Sequence, residues 1–435
     1  MAESTRQAGS RGVYQADFEA RLPYRVFDAD NHFYETPDAL TRFLEPKYRE
    51  LLGERGRRSV MQEGEDSQTV KPMTLEEKAR TIGDHAVPEG GHGGVDPTEM
   101  PQMDSEIPVP GAMLNKLNAM RGMSADERRE LVDFYKSMEP AFYHRDDRLE
   151  LMDRQGVEVA VIHTGGGGIS LADLDLEARY AVARAYNRWT QDEWGFGYKE
   201  RIFVPATLPL WDVDYAVAEL ERVLAEDARL INLSAGPTSK GSPFDPCYDP
   251  IWERVNEAEV PIAVHLGGSE YAKYAADWSE DPDAFYNVFN GFQWVTCWGD
   301  RPIMDTVTAM VFHGMFSRFP KMRVLIAEFG TVWLPYLLRK LDHGHMLGRQ
   351  PKWGEKLSER PSELFRQRCV VAPFPEESVR RPMEAVGAEC LVFGSDFPHS
   401  EGLPDPVQYA KTVEGLDEAT VQALMRDNLA RFMRL

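Results

Sequence analysis

Tyr24-Arg25-Val26-Phe27-Asp28-Ala29-Asp30-Asn31-His32 is a β-branched and aromatic run that turns, over a few residues, into carboxylates and an imidazole. Near the other end of the chain, Cys390-Leu391-Val392-Phe393-Gly394-Ser395-Asp396-Phe397-Pro398-His399 does the same. Each cluster of metal-binding residue types falls where a strand runs out into a loop. A closed barrel sets its first and last strands side by side, and would merge the two clusters into one site.

Between these ends lie six further short apolar runs, at 157–163, 201–207, 229–234, 261–266, 323–328 and 369–372. With 24–28 and 390–394 they make eight. Near-continuous apolar runs of about 4–8 residues suit strands buried on both faces of a parallel sheet. Helical patterns follow most of them, at 174–193, 213–225 (behind Asp212 as N-cap), 248–258, 302–316 and 331–342. The alternation predicts an α/β fold, a (β/α)8 TIM barrel, rather than a doubly wound sheet.

Two segments break the repeat. One is the long insertion 36–145 after the first strand, which contains a Gly/His/Pro-rich stretch at 88–94. The other is the aromatic-rich loop 268–301 after the fifth. Loops that follow strands open on the catalytic face of such a barrel. The second therefore reads as a lid or substrate wall, with Tyr271, Trp278, Trp294 and Trp298 as candidate substrate contacts. A dimer contact or a satellite core is the competing reading of that loop. The chain divides into a disordered tail, 1–23, and one barrel domain, 24–435.

Composition narrows the partners. Forty-nine Lys and Arg against 71 Asp and Glu give a formal charge of −22, which repels phosphate backbones and anionic membranes. No stretch reaches the roughly 18–20 apolar residues of a membrane span, and the polar start is unlike a secretory signal. Cys247, Cys297, Cys369 and Cys390 lack CxxC spacing and read as reduced thiols of a cytoplasmic protein. A small-molecule substrate is expected, with no nucleic acid or membrane partner; a homo-oligomer stays open.

The strand ends carry the chemistry. Asp30 and His32 are two apart and leave an extended strand on one face. His163 ends the second run, His265 the fifth, Glu328 the sixth, and Asp396 the eighth, with His399 just beyond. Imidazole and carboxylate together suit Zn, Mn or Fe as divalent ions. A lone His or Asp at a strand end is usually structural, but several converging on one rim point to a metal site. His163 is a candidate for contact with the substrate. His313, on the expected helix 302–316, falls to the opposite face and reads as a packing or capping residue. Gly165-Gly166-Gly167-Gly168 could cradle an anion or simply turn the chain. There is no Walker loop, Rossmann fingerprint or Gly-x-Ser-x-Gly nucleophile.

The order and spacing of five pieces resemble the amidohydrolase superfamily, specifically the amidohydrolase-related group that includes aromatic-acid decarboxylases. They are Asp28-Ala29-Asp30-Asn31-His32-Phe33-Tyr34-Glu35, Arg148-Leu149-Glu150-Leu151-Met152-Asp153-Arg154-Gln155-Gly156, Val260-Pro261-Ile262-Ala263-Val264-His265, Arg318-Phe319-Pro320 and Phe393-Gly394-Ser395-Asp396-Phe397-Pro398-His399. The resemblance implies a (β/α)8 barrel with a divalent metal at its C-terminal mouth, held by Asp30, His32, His265 and Asp396. Three departures matter. The first strand has acid-x-His where the superfamily's hydrolases have His-x-His. The sixth offers Glu328 in place of histidine, and the fourth has no lysine to bridge two metals. The last favours one ion, while Glu328 and His399 as spare ligands keep two open.

Two mechanisms suit this set. In hydrolysis, a metal-activated water attacks an amide, ester, lactone or thioester, with Asp396 taking the proton and His399 and His265 steadying the water. In non-oxidative decarboxylation the metal chelates an aromatic or related carboxylic acid and Asp396 protonates the ring carbon. The long insertion and the aromatic loop favour hydrolysis of a moderately large substrate, a thioester among them. A barrel that has lost its chemistry and serves as a scaffold is the third possibility, and its test is metal content.

Overall fold

The computed structural model describes residues 22–36, 38–49, 138, 140–164, 174–266, 271–280, 291–298, 300–347, 352–353, 357–375, 377–399, 402–403, 405–413 and 415–435. Most of the expected insertion, nearly all of the tail and the glycine run at 165–168 lie outside the described residues.

Among the described residues eight strands run in parallel: β1 (Val26–His32), β2 (Val157–His163), β3 (Ile202–Phe203), β4 (Ala206–Thr207), β5 (Ile231–Asn232), β6 (Ile262–His265), β7 (Val324–Ala327) and β8 (Cys369–Val371). They form two ladders, β1-β2-β3 and β4-β5-β6-β7-β8. The third expected strand is thus divided. β3 pairs with β2 and β4 with β5, and Pro205 between them has no N–H to give either ladder. The eighth run closes the ring without a ladder of its own. Leu391 bridges Val371 and Phe397 bridges Asn31, both in parallel. The Ala29 N–H donates to the Phe393 carbonyl at 2.8 Å, and the His32 N–H to that of Phe397 at 2.7 Å. With the halved third strand counted once, eight staves close a (β/α)8 barrel.

Alternation along each strand divides the core in two. Phe27, Val159, Val161, Phe203, Leu230, Ala263, Leu325 and Val370 fill the barrel interior. Their neighbours, among them Val26, Ile162, Ile231, Ile262, Val264, Val324 and Val371, pack outward against the helices. That two-sided burial is why the strands read as unbroken apolar runs.

The outer layer includes α1 (Arg145–Gln155), α2 (Leu176–Glu193), α3 (Val213–Ala225), α4 (Asp249–Ala258), α5 (Ala272–Asp277), α6 (Asp300–Phe312), α7 (Leu334–Leu347), α8 (Pro361–Arg368) and α9 (Arg380–Val386). Asp212 caps α3 as expected, its side chain accepting from the N–H groups of Asp214 and Tyr215. The helix expected over 302–316 stops at Phe312 because Gly314 turns left-handed at φ 75°. His313 sits in that break, bonded through Nδ1 to Ser242 Oγ at 2.7 Å and edge-on to Trp353.

The last helix, α10 (Asn428–Met433), seals the N-terminal end of the barrel with Leu429, Phe432 and Met433, next to Arg323 at the start of β7. The opposite end, where the chemistry-bearing residues lie, is left as the mouth. Among the described residues no helix is long and apolar enough to cross a membrane.

Candidate metal centre

At the mouth, strand ends deliver side chains to one point. Ala29 faces the interior, so regular alternation would turn Asp30 outward. The pairing of β1 with β2 slips between Asp28 and Asn31, and this irregularity swings Asp30 and His32 inward. His265 ends β6, Glu328 follows β7, and Asp396 and His399 follow the eighth stave.

The distances are short. His32 Nε2 lies 3.3 Å from Asp30 Oδ1 and 3.0 Å from Asp396 Oδ1. His265 Nε2 lies 3.3 Å from Asp30 Oδ1 and 3.0 Å from Glu328 Oε2. His399 Nδ1 meets Asp396 Oδ1 at 2.9 Å, and its ring stacks on His32 at 3.8 Å. Asp30, His32 and His265 form one group whose ligand atoms lie within 4.8 Å of one another; His32, Asp396 and His399 form a second. Asp30, His32 and Asp396 are at most 5% exposed.

Asp30 Oδ1, both nitrogens of His32 and His265 Nε2 are buried and lack an aligned hydrogen-bond partner among the described residues. Atoms of that kind ordinarily find partners, so four in one spot indicate a missing group. His265 Nδ1–H donates to the Leu266 carbonyl at 2.8 Å, leaving Nε2 with a free lone pair. Glu328 and Asp396 are non-glycine residues in the left-handed region, at φ 58° and 57°. Each conformation costs about 1–3 kcal/mol and is kept where a site needs it.

Charge points the same way. Burial disfavours the charged form of every group here, yet the carboxylates pull the imidazoles upward. Burial opposes protonation of His32, but Asp30 and Asp396 raise it to about 9. His265 is raised well above its usual range, against burial, by Glu328 and Asp30. Burial would raise Asp30, and His265 and His32 hold it well below the usual carboxylate range. Asp396 is likewise lowered, against burial, by His32 and His399; burial leaves Glu328 raised. The mouth is a concentrated negative site that seeks positive charge, and a divalent cation supplies it without protons. Oxygen and imidazole donors fit such an ion.

The expected residues fare differently. Asp30, His32, His265, Glu328, Asp396 and His399 converge. His163 joins them, stacked on His265 at 4.4 Å with Nε2 against the Ala29 carbonyl at 3.0 Å; burial and the neighbouring His265 push it down to about 3, so it is neutral. Tyr271 is buried, but its hydroxyl donates to Asp305 Oδ2 at 2.6 Å on α6. Trp278 is 60% exposed and lies near Tyr274 and Phe292. The side chains of Trp294 and Trp298 lie outside the described residues.

Sequence reading gave no role to Thr207 and Asn232, which end β4 and β5 side by side. Thr207 Oγ1 and Asn232 Oδ1 are buried without a hydrogen-bond partner among the described residues. Asn232 lies on the strand where a bridging lysine was sought.

A family model described as Amidohydrolase matches residues 108–435. The chain belongs to the amidohydrolase family. A solved amidohydrolase of Mycobacterium avium subsp. paratuberculosis is 29% identical, with 95% of this chain and 98% of that one covered at a TM-score of 0.71. Gamma-resorcylate decarboxylase of a Rhizobium species is 22% identical over 281 residues, 61% of this chain and 80% of the relative. 5-Carboxyvanillate decarboxylase of Novosphingobium aromaticivorans, solved with manganese and 4-hydroxy-3-methoxy-5-nitrobenzoic acid, shares the fold at 16% identity. That match has a TM-score of 0.55 and covers 96% of this chain and 97% of that one. The Rhizobium relative is named for a decarboxylation. The hydrolytic preference drawn from loop size, with its ester and thioester substrates, finds no support among these relatives; the decarboxylase alternative does.

Proposed function

We propose that this amidohydrolase-family enzyme is a metal-dependent, non-oxidative decarboxylase of an aromatic or closely related conjugated carboxylic acid. The observation that carries it is kinship with a named decarboxylase over 61% of the chain, on a mouth with an acid-x-His first strand. Asp30, His32, His265 and Asp396 would hold one divalent ion, manganese, zinc or iron, with Glu328 as a further ligand. The ion supplies positive charge that draws in the substrate carboxylate and an adjacent oxygen.

The chain's own residues do the rest. Asp396 passes a proton from its carboxyl to the ring carbon that bears the carboxylate. The C–C bond then breaks, its electron pair restores the ring, and CO2 departs. His399, bonded through Nδ1 to Asp396 Oδ1, orients that carboxyl and returns a proton to it. His32 and His399 hold Asp396 below the usual carboxylate range despite burial, so Asp396 rests ionised and takes from His399 the proton it delivers to carbon.

The test is product analysis with the manganese-reconstituted enzyme. Incubated with 2,6-dihydroxybenzoate, 5-carboxyvanillate and related hydroxybenzoates in D2O, it should release CO2 and leave one deuterium at the vacated carbon. Asp396→Asn should lose about 10²–10⁴-fold in turnover. Release of acid from acyl esters or thioesters, with no CO2 from any of the acids, would overturn the reading.

A further inference from the structure

A carboxylate outside the ligand set ties the two halves of the mouth together. Asp28 is fully buried on β1, two residues before Asp30. Its Oδ1 accepts the backbone N–H groups of Ser395 at 2.9 Å and Asp30 at 3.2 Å. Its Oδ2 accepts the Ser395 hydroxyl at 2.5 Å and the Asn31 amide at 2.9 Å. Four donors on two oxygens favour the ionised, acceptor-only side chain, while burial pushes the Asp28 carboxyl up to about 7.

The contacts continue from both partners. Asn31 Oδ1 accepts from the buried Arg148 guanidinium, whose Nε donates to the Ala141 carbonyl at 2.8 Å. Ser395 Oγ accepts the Phe397 N–H at 3.1 Å, and the Asp396 N–H donates to the Asp30 carbonyl at 2.7 Å. Every group that Asp28 holds therefore flanks a residue of the cluster: Asp30 itself, Asn31 between Asp30 and His32, and Ser395 before Asp396. Phe397, on the far side of Asp396, is held one bond further on.

We infer that Asp28 is a positioning residue, a buried clip that fixes Asp30 and His32 against Asp396 and His399 and so sets the affinity of the centre for its cation. This rests on the metal reading given above. Asparagine is nearly the same size but replaces one acceptor oxygen with an NH2 group. That group would face two donors it cannot satisfy, and the strand ends would part.

The experiment is Mn²⁺ titration of the full chain stripped by chelation, following loss of the free-ion electron paramagnetic resonance signal, with thermal melting in parallel. Asp28→Asn should weaken Mn²⁺ binding about 10–100-fold, as loss of groups that orient ligands does. Val255→Ala, a cavity in α4 remote from the mouth, provides a variant of reduced stability that should bind Mn²⁺ as the wild type does. Should Asp28→Asn fail to fold, Ser395→Ala removes the hydroxyl arm of the clip and should weaken binding in the same direction. Mn²⁺ affinity within threefold of wild type in whichever of these two variants is folded overturns the inference and leaves the metal reading standing. A wild-type chain that binds no Mn²⁺, Zn²⁺ or Fe²⁺ overturns the metal reading and the inference with it.

Discussion

Gly394 packs tightly against the first stave, and adding one carbon there tests how closely the site is built. A Cβ on Gly394 would lie 2.6 Å from Asp30 Cβ and 3.1 Å from Ala372 Cβ. Ordinary carbon–carbon contact needs about 3.5–4.0 Å, so Asp30 must retreat by about 1 Å. It has little room, because its carbonyl is held by the N–H groups of Ser395 and Asp396 on the same stave. Overpacking of this kind costs about 1–3 kcal/mol, out of a total stability of about 5–15 kcal/mol. Gly394→Ala therefore stays folded at 25 °C. Displacing a group by about 1 Å in a reacting constellation costs about 10²-fold in rate. The expected result is a modest loss in denaturation midpoint with a loss of about 10²-fold in kcat/KM and weaker Mn²⁺ binding. Decarboxylation within threefold of wild type, at unchanged stability, would refute this account of the seam between the first and eighth staves.

Three further outcomes are expected. Glu219 is buried on α3 and accepts from Arg184, Arg222 and Asn187; Glu219→Ala takes the carboxylate from Arg184 while Arg222 keeps Glu226, and should cost about 1–3 kcal/mol in urea unfolding, against about 1 kcal/mol or less for the half-exposed Arg25–Asp153 pair. Glu259 is held down to about 2 by Lys321 and Arg434, from 4.5. Its contribution to stability is present above about pH 4.5 and lost as pH falls through about 2, so Glu259→Gln should flatten the pH dependence of the melting temperature in that window. Of the four cysteines only Cys247 is exposed, and burial pushes the Cys390 thiol up to about 12, so a disulfide reagent at pH 8 should titrate one thiol quickly and the other three only on unfolding.

Much of the barrel could be read from the chain because strands buried on both faces leave an unmistakable apolar signature. The N-cap at Asp212 was legible for the same local reason. What escaped depended on partners far away in sequence. The break in the third strand turns on Pro205 meeting two different neighbours. The helix expected from Thr331 begins at Leu334, since Thr331 bonds to Glu377 and Trp333 to the Gly330 carbonyl. The ligand candidates stood out as acids and imidazoles at strand ends. Asp28 stood among them too, and nothing local separated a clip from a ligand, because its partner Ser395 lies 367 residues on. Aromatic residues in the loop after the fifth strand suggested a substrate wall, yet Tyr271 is engaged with Asp305 and Trp278 faces outward. Residue type alone cannot say which way a loop residue points.

The departure at the first strand also bears on the reaction. Where two imidazoles are neutral ligands, Asp30 in place of one adds a negative charge beside Asp396 and Glu328. A cation in an anionic shell is a weaker Lewis acid and lowers the pKa of bound water less, which makes hydroxide costlier near neutral pH. Decarboxylation needs no hydroxide. It needs a carboxylate held in place, a proton source and a dry mouth, since charge spreads out as CO2 forms and the loss of water costs the transition state less than the ground state. Asp30, His32 and Asp396, at most 5% exposed, provide that dryness. A divalent ion held here would offset the charges of Asp30 and Asp396, so an anionic substrate would meet less repulsion on entering the mouth.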